Sequence, residues 1–409
     1  MTFVQVEPPP AVDSSTRREP PGPVQVTVVM PVRNEQQHIA RTLQQVLDQR
    51  HDGFDVEVLV VDGRSTDRTR EIVRCVASQR PEVRLLDNPH RLSSAARNTA
   101  VRHGRGEYFV IIDGHCEIPS QTYLSDLVNA FEVTGADCIG RPQPLDVTGA
   151  TPFQAAVAAA RSSWLGHHPD SFIYTHELQT VPAASVAVAY RRRVFERIGL
   201  FDERFDACED CEFNHRVDRA GMRCVLDPRL AVKYQPRGSL RGLFKQMARY
   251  GRGRLRLARK HPASASWKSF LPAVFVLGVV AGPAFCLLAP AFWLAYFAAA
   301  GGYVAVLLAA SASIGWRRRQ LRLAAWLPLV FLTIHFGAGV GVLSELAIAL
   351  FNRTPPPRPD ETSLDRAAAP QELADFSLAS RLADDVTQLD DNARRPGSAR
   401  PELRRERLG

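Results

Sequence analysis

The front half of the chain alternates between two patterns. Short runs dense in Val, Ile and Leu stand at 24–32 (VQVTVVMPV), 56–63 (VEVLVVDG), 83–88 (VRLLDN) and 107–115 (EYFVIIDGH), and each closes on turn-forming or polar residues. Runs of that length and branching predict strands. Between them, helical stretches fall near 36–49, 66–77 and 93–103, with Asp67 and Ser93 or Ser94 placed to start helices. Strand, helix, strand in repetition predicts an α/β domain on a mostly parallel sheet with helices on both faces. Ligands of such sheets gather at the carboxyl ends of the strands.

The back half is patterned for lipid. Residues 270–313 contain no charged side chain. At about 20 apolar residues per crossing, this predicts two membrane helices, 270–288 and 291–313, turning near Ala289 and Pro290. A third apolar run, 323–351, follows the basic segment WRRRQLR and carries His335 and Glu345. Such groups are costly at membrane depth unless they face protein or an interface, so the sequence leaves two or three crossings open. Basic residues flank the first pair on both outer sides, at 241–268 and 317–322. By the positive-inside rule both flanks, and with them residues 1–268, are expected in the cytoplasm, on a multi-pass protein of the plasma membrane. Leu, Phe, Met and Tyr mixed with many cations make 239–268 a basic amphipathic segment expected at an anionic lipid surface. The chain thus divides into a tail (1–23), a catalytic-type domain (24–238), the interfacial segment (239–268), the membrane region (269–351) and a second tail (352–409). Both tails have the polar, Pro-rich composition of disordered segments, and the first lacks the apolar core of a signal peptide.

Charge and cysteine content sharpen this picture. The net charge is +8, yet no Asp or Glu occurs in 228–344 while Arg and Lys crowd 229–260. Nucleic acid would explain a basic stretch, but the apolar spans behind it point to membrane lipid instead. The seven Cys are scattered, which suits a reducing compartment. Cys208 and Cys211 have CxxC spacing without the second ligand pair that a zinc ribbon needs.

Candidate chemistry sits at the strand ends: Pro31 to Glu35, Asp62 to Asp67, and Asp113-Gly114-His115. No GxGxxG follows the first strand and no GxxxxGK[ST] occurs anywhere, so dinucleotide and P-loop readings lose their main support. Further on, Glu209-Asp210 opens a helix expected to run to Ala220, with Gly221 as its stop.

Taken in order, VVMPVRNE, VVDGRSTDRT, LSSAARNTA, IIDGHCEIP, GLFDERFDACEDCEFNHR and QMARY resemble the motifs of family 2 glycosyltransferases. These are inverting enzymes of the GT-A fold, and the similarity is to their membrane-anchored branch, which includes a succinoglycan glucosyltransferase. The resemblance implies that Pro31, Arg33 and Glu35 line a nucleotide pocket and that Asp62 accepts from the base. It implies that Arg97, supported by Asn98, reaches the diphosphate. Asp113 and His115 stand where the family usually carries Asp-x-Asp and would hold Mn2+ or Mg2+, with Glu117 a further candidate ligand. Asp210 would be the base that takes the acceptor's proton, with Glu209 beside it. Gln246 and Arg249 resemble a Gln-x-x-Arg-Trp motif, with Tyr250 in place of Trp, and Arg249 would assist the diphosphate. His215 and Arg191 to Arg193 are candidates to face an acceptor diphosphate. The implied partners are a UDP-hexose donor and a polyprenyl-diphosphate-linked saccharide. A polyprenyl-phosphate acceptor, or a non-catalytic membrane scaffold, remains as an alternative at this stage.

Overall fold

The computed structural model describes residues 24–351 apart from 52, 168–170 and 289, and both expected tails lie outside them. In chain order, the first elements are β1 (Val24–Val32), α1 (Ile39–Leu47), β2 (Asp55–Asp62), α2 (Thr69–Gln79), β3 (Val83–Asp87), α3 (Ser93–His103) and β4 (Tyr108–Ile111). Then come β5 (Cys116–Glu117), α4 (Tyr123–Thr134), β6 (Cys138–Gly140), α5 (Pro152–Arg161), β7 (Gln179–Thr180), α6 (Ala183–Val186), β8 (Ala187–Arg191) and α7 (Arg192–Ile198). The remainder is α8 (Glu209–Arg219), β9 (Cys224–Leu226), β10 (Lys233–Tyr234), α9 (Leu240–Lys260), α10 (Leu271–Leu288), α11 (Phe292–Arg317) and α12 (Leu321–Phe351).

Eight strands form one sheet in the order β3-β2-β1-β4-β8-β6-β9-β7, and β10 pairs with β5 in a separate ribbon. The strands β1 to β4 are parallel, whereas β8 runs antiparallel between β4 and β6. Period-two alternation splits the core. Val26, Val28 and Met30 pack on one face with α1 and α4, while Val29, Leu59 and Val61 pack on the other with α3 and α8. The expected strand 107–115 ends early, at Ile111, so that Asp113 and His115 fall in the turn beyond it.

The strand order decides where the site lies. From β1 the chain steps outward to β2 and β3, then returns to place β4 on the other side of β1. A crevice opens at such a reversal, beyond the carboxyl ends of the two central strands. Pro31 marks its start. The β1–β4 register ends at Val29 and Ile111, so the missing N–H of Pro31 falls past the last paired position on that side.

Three helices are long and apolar enough to cross a membrane. They are not equivalent. In α12, 44% of the apolar window is buried within the protein, against 17% for α10 and for α11. Leu323, Leu327, Val330 and Phe331 of α12 pack with Ala156 and Ala160 of α5 and with Leu243 and Met247 of α9. The two ionisable residues within its apolar run, His335 and Glu345, are both paired inside the chain. His335 bonds the Tyr303 hydroxyl and the Leu165 carbonyl, each at 2.9 Å, and Glu345 takes both forks of Arg256 at 2.8 and 2.9 Å. The expectation that α9 spreads its apolar face on lipid therefore needs correcting. Amphipathic spacing fixes that a face is covered and not by what, and here protein covers it, leaving Arg241, Lys245 and Arg249 outside.

The end of α9 is locked by buried charge. Lys260, with its side chain fully buried, reaches Asp202 at 2.8 Å and Glu212 at 2.7 Å, and His261 meets Glu212 at 3.0 Å. Burial alone would raise the Glu212 carboxyl. The His261 hydrogen bond and the charges of Arg216 and Lys260 instead hold it far below the usual range. Asp202 is lowered too, against its burial, by Arg204 and Lys260. Replacing Lys260 by Met removes the buried cation that Asp202 and Glu212 share, leaving Arg204 and Arg216 as their remaining cations, and should cost about 3 kcal/mol, read as a lower unfolding temperature of the detergent-solubilised protein. Because both folded pKa values lie below the unfolded ones, their stabilisation is full above about pH 4.5 and drains away as pH falls below it. Acid unfolding curves of the wild type should show this loss, and those of Lys260→Met should show less of it.

Candidate active site

Two loops from neighbouring strands build the donor end of the crevice. Asn34 sits at φ 58°, a left-handed conformation that Asn tolerates better than most residues. Its side chain accepts from Thr66 N at 2.8 Å, and its own N–H donates to Ser65 Oγ at 2.9 Å. Glu35 N then donates to Thr69 Oγ1 at 2.8 Å. These bonds stitch the turn after β1 to the turn after β2 and aim Glu35 across the crevice. There its carboxylate meets His115 Nδ1 at 3.0 Å. Asp67 acts as a cap, accepting from Thr69 N at 3.0 Å.

The Asp113–His115 turn is clamped from behind. β5 pairs with β10, and Tyr234 of β10 donates to Asp113 Oδ2 at 2.8 Å. Arg141, only 1% exposed, donates to the Ile111 carbonyl at 3.0 Å, to the Tyr123 hydroxyl at 2.5 Å and to Tyr234 at 3.4 Å. Burial would raise the Asp113 carboxyl, but His115, Arg97, the Tyr234 hydroxyl and Arg141 together hold it below its ordinary value. His115 is raised, chiefly by its bond to Glu35 and then by Asp113, against its burial. Neither Arg141 nor Tyr234 was expected from sequence. Arg141 does stand directly after a buried run, as the strand-end candidates do; Tyr234 carries no such signal.

These donors fit a divalent cation. With Nδ1 fixed by a carboxylate, His115 keeps Nε2 for a metal, an arrangement that orients the ring and strengthens it as a ligand. Asp113 Oδ1 has no hydrogen-bond partner among the described residues. Among those residues no three His, Cys, Asp or Glu gather to enclose an ion. Two protein ligands suffice where a bound diphosphate supplies further oxygens. Glu117, on β5 opposite Lys233, is not part of any such cluster.

The catalytic end is built by α3 and the loop before α8. Asn98 exchanges bonds with Phe201 N and O at 2.8 and 2.9 Å, and Ser94 donates to the Phe205 carbonyl at 3.3 Å. Asn98 thus holds the loop, where it was expected to support Arg97. Cys208, at φ 61°, turns the chain into α8, whose first residues are Glu209 and Asp210. Arg97, on the same helix as Asn98, lies 3.3 Å from Glu209, and its Nε and Nη1 are buried without hydrogen-bond partners. Burial would lower the pKa of Arg97, but Glu209, Asp210 and Asp113 together hold it above its ordinary value. Burial pushes the Glu209 carboxyl up against the pull of Arg97, and the charge of Asp210 adds to the rise. Asp210 itself is exposed. One guanidinium is therefore within electrostatic reach of both the Asp113 turn and the Glu209–Asp210 pair.

Several expected residues lie elsewhere. Asp62 is fully buried and bonded by Ser65 and Arg70, at 2.8 Å for the latter, so it shapes its turn and does not stand open to a base. The exposed acid on that rim is Asp87, at 2.7 Å from the same Arg70. Arg33 is exposed beside Gly63. Arg249 bonds the Asp206 carbonyl at 2.8 Å, which places it beside the loop before α8, whereas Gln246 bonds the Tyr250 hydroxyl of its own helix at 3.3 Å. The cations expected at an acceptor are not there. Arg191 and Arg192 bond the carbonyls of Ala136, Phe131, Gly104 and Gly106, and Arg193 pairs with Asp137, at the opposite end of β4. His215 lies against His261, ring centres 4.8 Å apart and tilted by 49°. Polar runs look alike in sequence whichever end of the sheet they reach.

The profile described as glycosyl transferase family 2 matches residues 27–199. The succinoglycan biosynthesis protein ExoA of Rhizobium meliloti is 35% identical over 247 residues, covering 60% of this chain and 73% of that protein. A dolichyl N-acetyl-alpha-D-glucosaminyl phosphate diacetamido-dideoxy-glucuronosyltransferase of Methanococcus voltae is 22% identical over 249 residues, 59% of this chain and 76% of that one. Among solved structures, the mannosyltransferase PcManGT of Pyrobaculum calidifontis, in complex with GDP-Man and Mn2+, superposes with TM-score 0.51 at 22% identity, covering 81% of this chain and 91% of that one. That likeness bears on the fold, which is GT-A. Kinship along most of a relative's length, with the matching profile, places this chain among the family 2 glycosyltransferases and makes it an enzyme.

Proposed function

We propose that the enzyme transfers a hexose, with glucose from UDP-glucose as the first donor to test, onto a hydroxyl of a polyprenyl-diphosphate-linked saccharide. Transfer would occur with inversion at the cytoplasmic face of the membrane, in exopolysaccharide or cell-envelope glycan synthesis. The observation that carries this reading is the buried Arg97, which lies 3.3 Å from Glu209 and is held charged by Asp210 and Asp113 as well. The relatives in succinoglycan synthesis and in dolichyl-linked transfer support a lipid-linked glycan as the acceptor class.

In this reading Asp113 and His115 would hold Mn2+ or Mg2+, which when bound neutralises the charge that the departing diphosphate acquires. The buried guanidinium of Arg97, held charged by Asp113, Glu209 and Asp210, would stabilise the same charge without the cost of reorganising in water. Asp210, exposed at the first turn of α8, takes the proton of the attacking hydroxyl. Glu209, anchored on Arg97, holds that turn in place. Glu35 keeps His115 oriented, and Pro31 and Arg33 border the nucleotide side.

The test is a donor screen on membranes, following radiolabel into the lipid extract. Asp210→Asn should lower transfer by about 10²- to 10⁴-fold while isothermal titration shows UDP bound as in wild type. Retention of most activity would instead favour a polyprenyl-phosphate acceptor, already an anion and in no need of a base. His115→Ala should abolish the gain in UDP affinity that Mn2+ brings to wild type. A wild-type protein whose UDP binding ignores Mn2+ would overturn Asp113 and His115 as the residues that hold the cation.

A further inference from the structure

The helix α9 is pressed between a membrane helix and the corner that carries the catalytic pair. On one side it meets α12 backbone to backbone. A Cβ added to Gly251 would stand 2.1 Å from the Ala338 carbonyl oxygen, and one added to Gly341 would stand 2.2 Å from that of Ala248. On the other side it meets the turn into α8. A Cβ on Gly253 would stand 2.6 Å from Cys208 Sγ and 2.7 Å from the Ala207 carbonyl oxygen. Cys208 is the left-handed residue immediately before Glu209. No side chain larger than hydrogen fits at either contact without moving backbone.

Charge repeats the same connection. Arg256 grips Glu345 of α12 through Nε and Nη2 and turns Nη1 to Asp206. Arg249 holds the Asp206 carbonyl at 2.8 Å, and Lys260 holds Asp202. Glu345, the single acid of α12, is 4% exposed. Apolar packing does not call for an acid there, and its cost is met only by its partner. The donor end is fastened separately, by Tyr234, Arg141 and the β5–β10 ribbon.

We infer that α12 sets the position of the catalytic turn through α9, with Arg256 and Glu345 as positioning residues for transfer, remote from the donor site. The inference rests on Asp210 as the base. A base displaced by a fraction of an ångström loses the approach to the acceptor hydroxyl but not the nucleotide. Arg256 cannot be replaced by Lys without loss, because an ammonium cannot keep the two-pronged bond to Glu345 while also reaching Asp206.

The experiment compares full-length wild type with Gly253→Ala, Arg256→Lys, Glu345→Gln and a lipid-side control, Gly301→Ala, where nothing lies within 4 Å of an added Cβ. Three readouts are taken in detergent: UDP affinity with Mn2+, kcat at saturating donor, and the alkylation rate of Cys211, located by mass spectrometry with exposed Cys75 as reference. The first three variants should lose about 10- to 100-fold in kcat with UDP affinity within about twofold, and Cys211 should alkylate several-fold faster. Gly301→Ala should match wild type throughout. Unchanged kcat and Cys211 reactivity in the three variants, or UDP affinity falling in step with kcat, overturns the inference. Should wild type show no transfer while Cys211 still responds to the variants, the assignment of Asp210 fails and the coupling stands.

Discussion

Everything at this site depends on one buried guanidinium. Arg97 is taken out of water yet kept charged by Glu209, Asp210 and Asp113, which come from two distant parts of the chain. A charge buried this far is tolerated only where acids surround it. Arg97 thereby links the turn after β4, which carries Asp113, to the first turn of α8, which carries Glu209 and Asp210. Its unpartnered donors are a standing debt that a bound anion would settle, so the same group that ties the two ends together also favours ligand.

Around Arg97 the protein divides the task of holding geometry. The donor end is a matter of the soluble domain alone: stitched turns after β1 and β2, a two-stranded ribbon behind the Asp113 turn, and Arg141 beneath it. The catalytic end borrows from the membrane region. The loop 202–208 is held by Asn98 from α3 and by Arg249, Arg256 and Lys260 from α9, and α9 lies against α12. The turn after β4 is thus referenced to the sheet, and the turn into α8 to a helix long and apolar enough to cross a membrane.

The pairings of α12 also explain the two residues that made its sequence hard to read. Glu345 and His335 argue against a membrane helix only if nothing receives them. Arg256 receives one, and Tyr303 with the Leu165 carbonyl receives the other. Neither partner is adjacent in sequence, so a local reading sees the cost and not the compensation.

By itself the sequence determined the alternation that makes the parallel half of the sheet, the apolar lengths of α10 to α12, and the acids and cations at the strand ends. These follow from periodicities of two and 3.6 and from local turn chemistry, which act over a few residues. Its motifs also carried the family. Only the tertiary structure decided which strand ends share a crevice, because that is set by strand order. It closed Asp62, which sequence had left open to a base, by folding Arg70 and Ser65 over it. It sent Arg191 to Arg193 to the far end of β4, and it brought in Arg141 and Tyr234 from segments without a motif. Those outcomes are fixed by contacts between residues many positions apart, where geometry and charge pairing, not local pattern, supply the free energy.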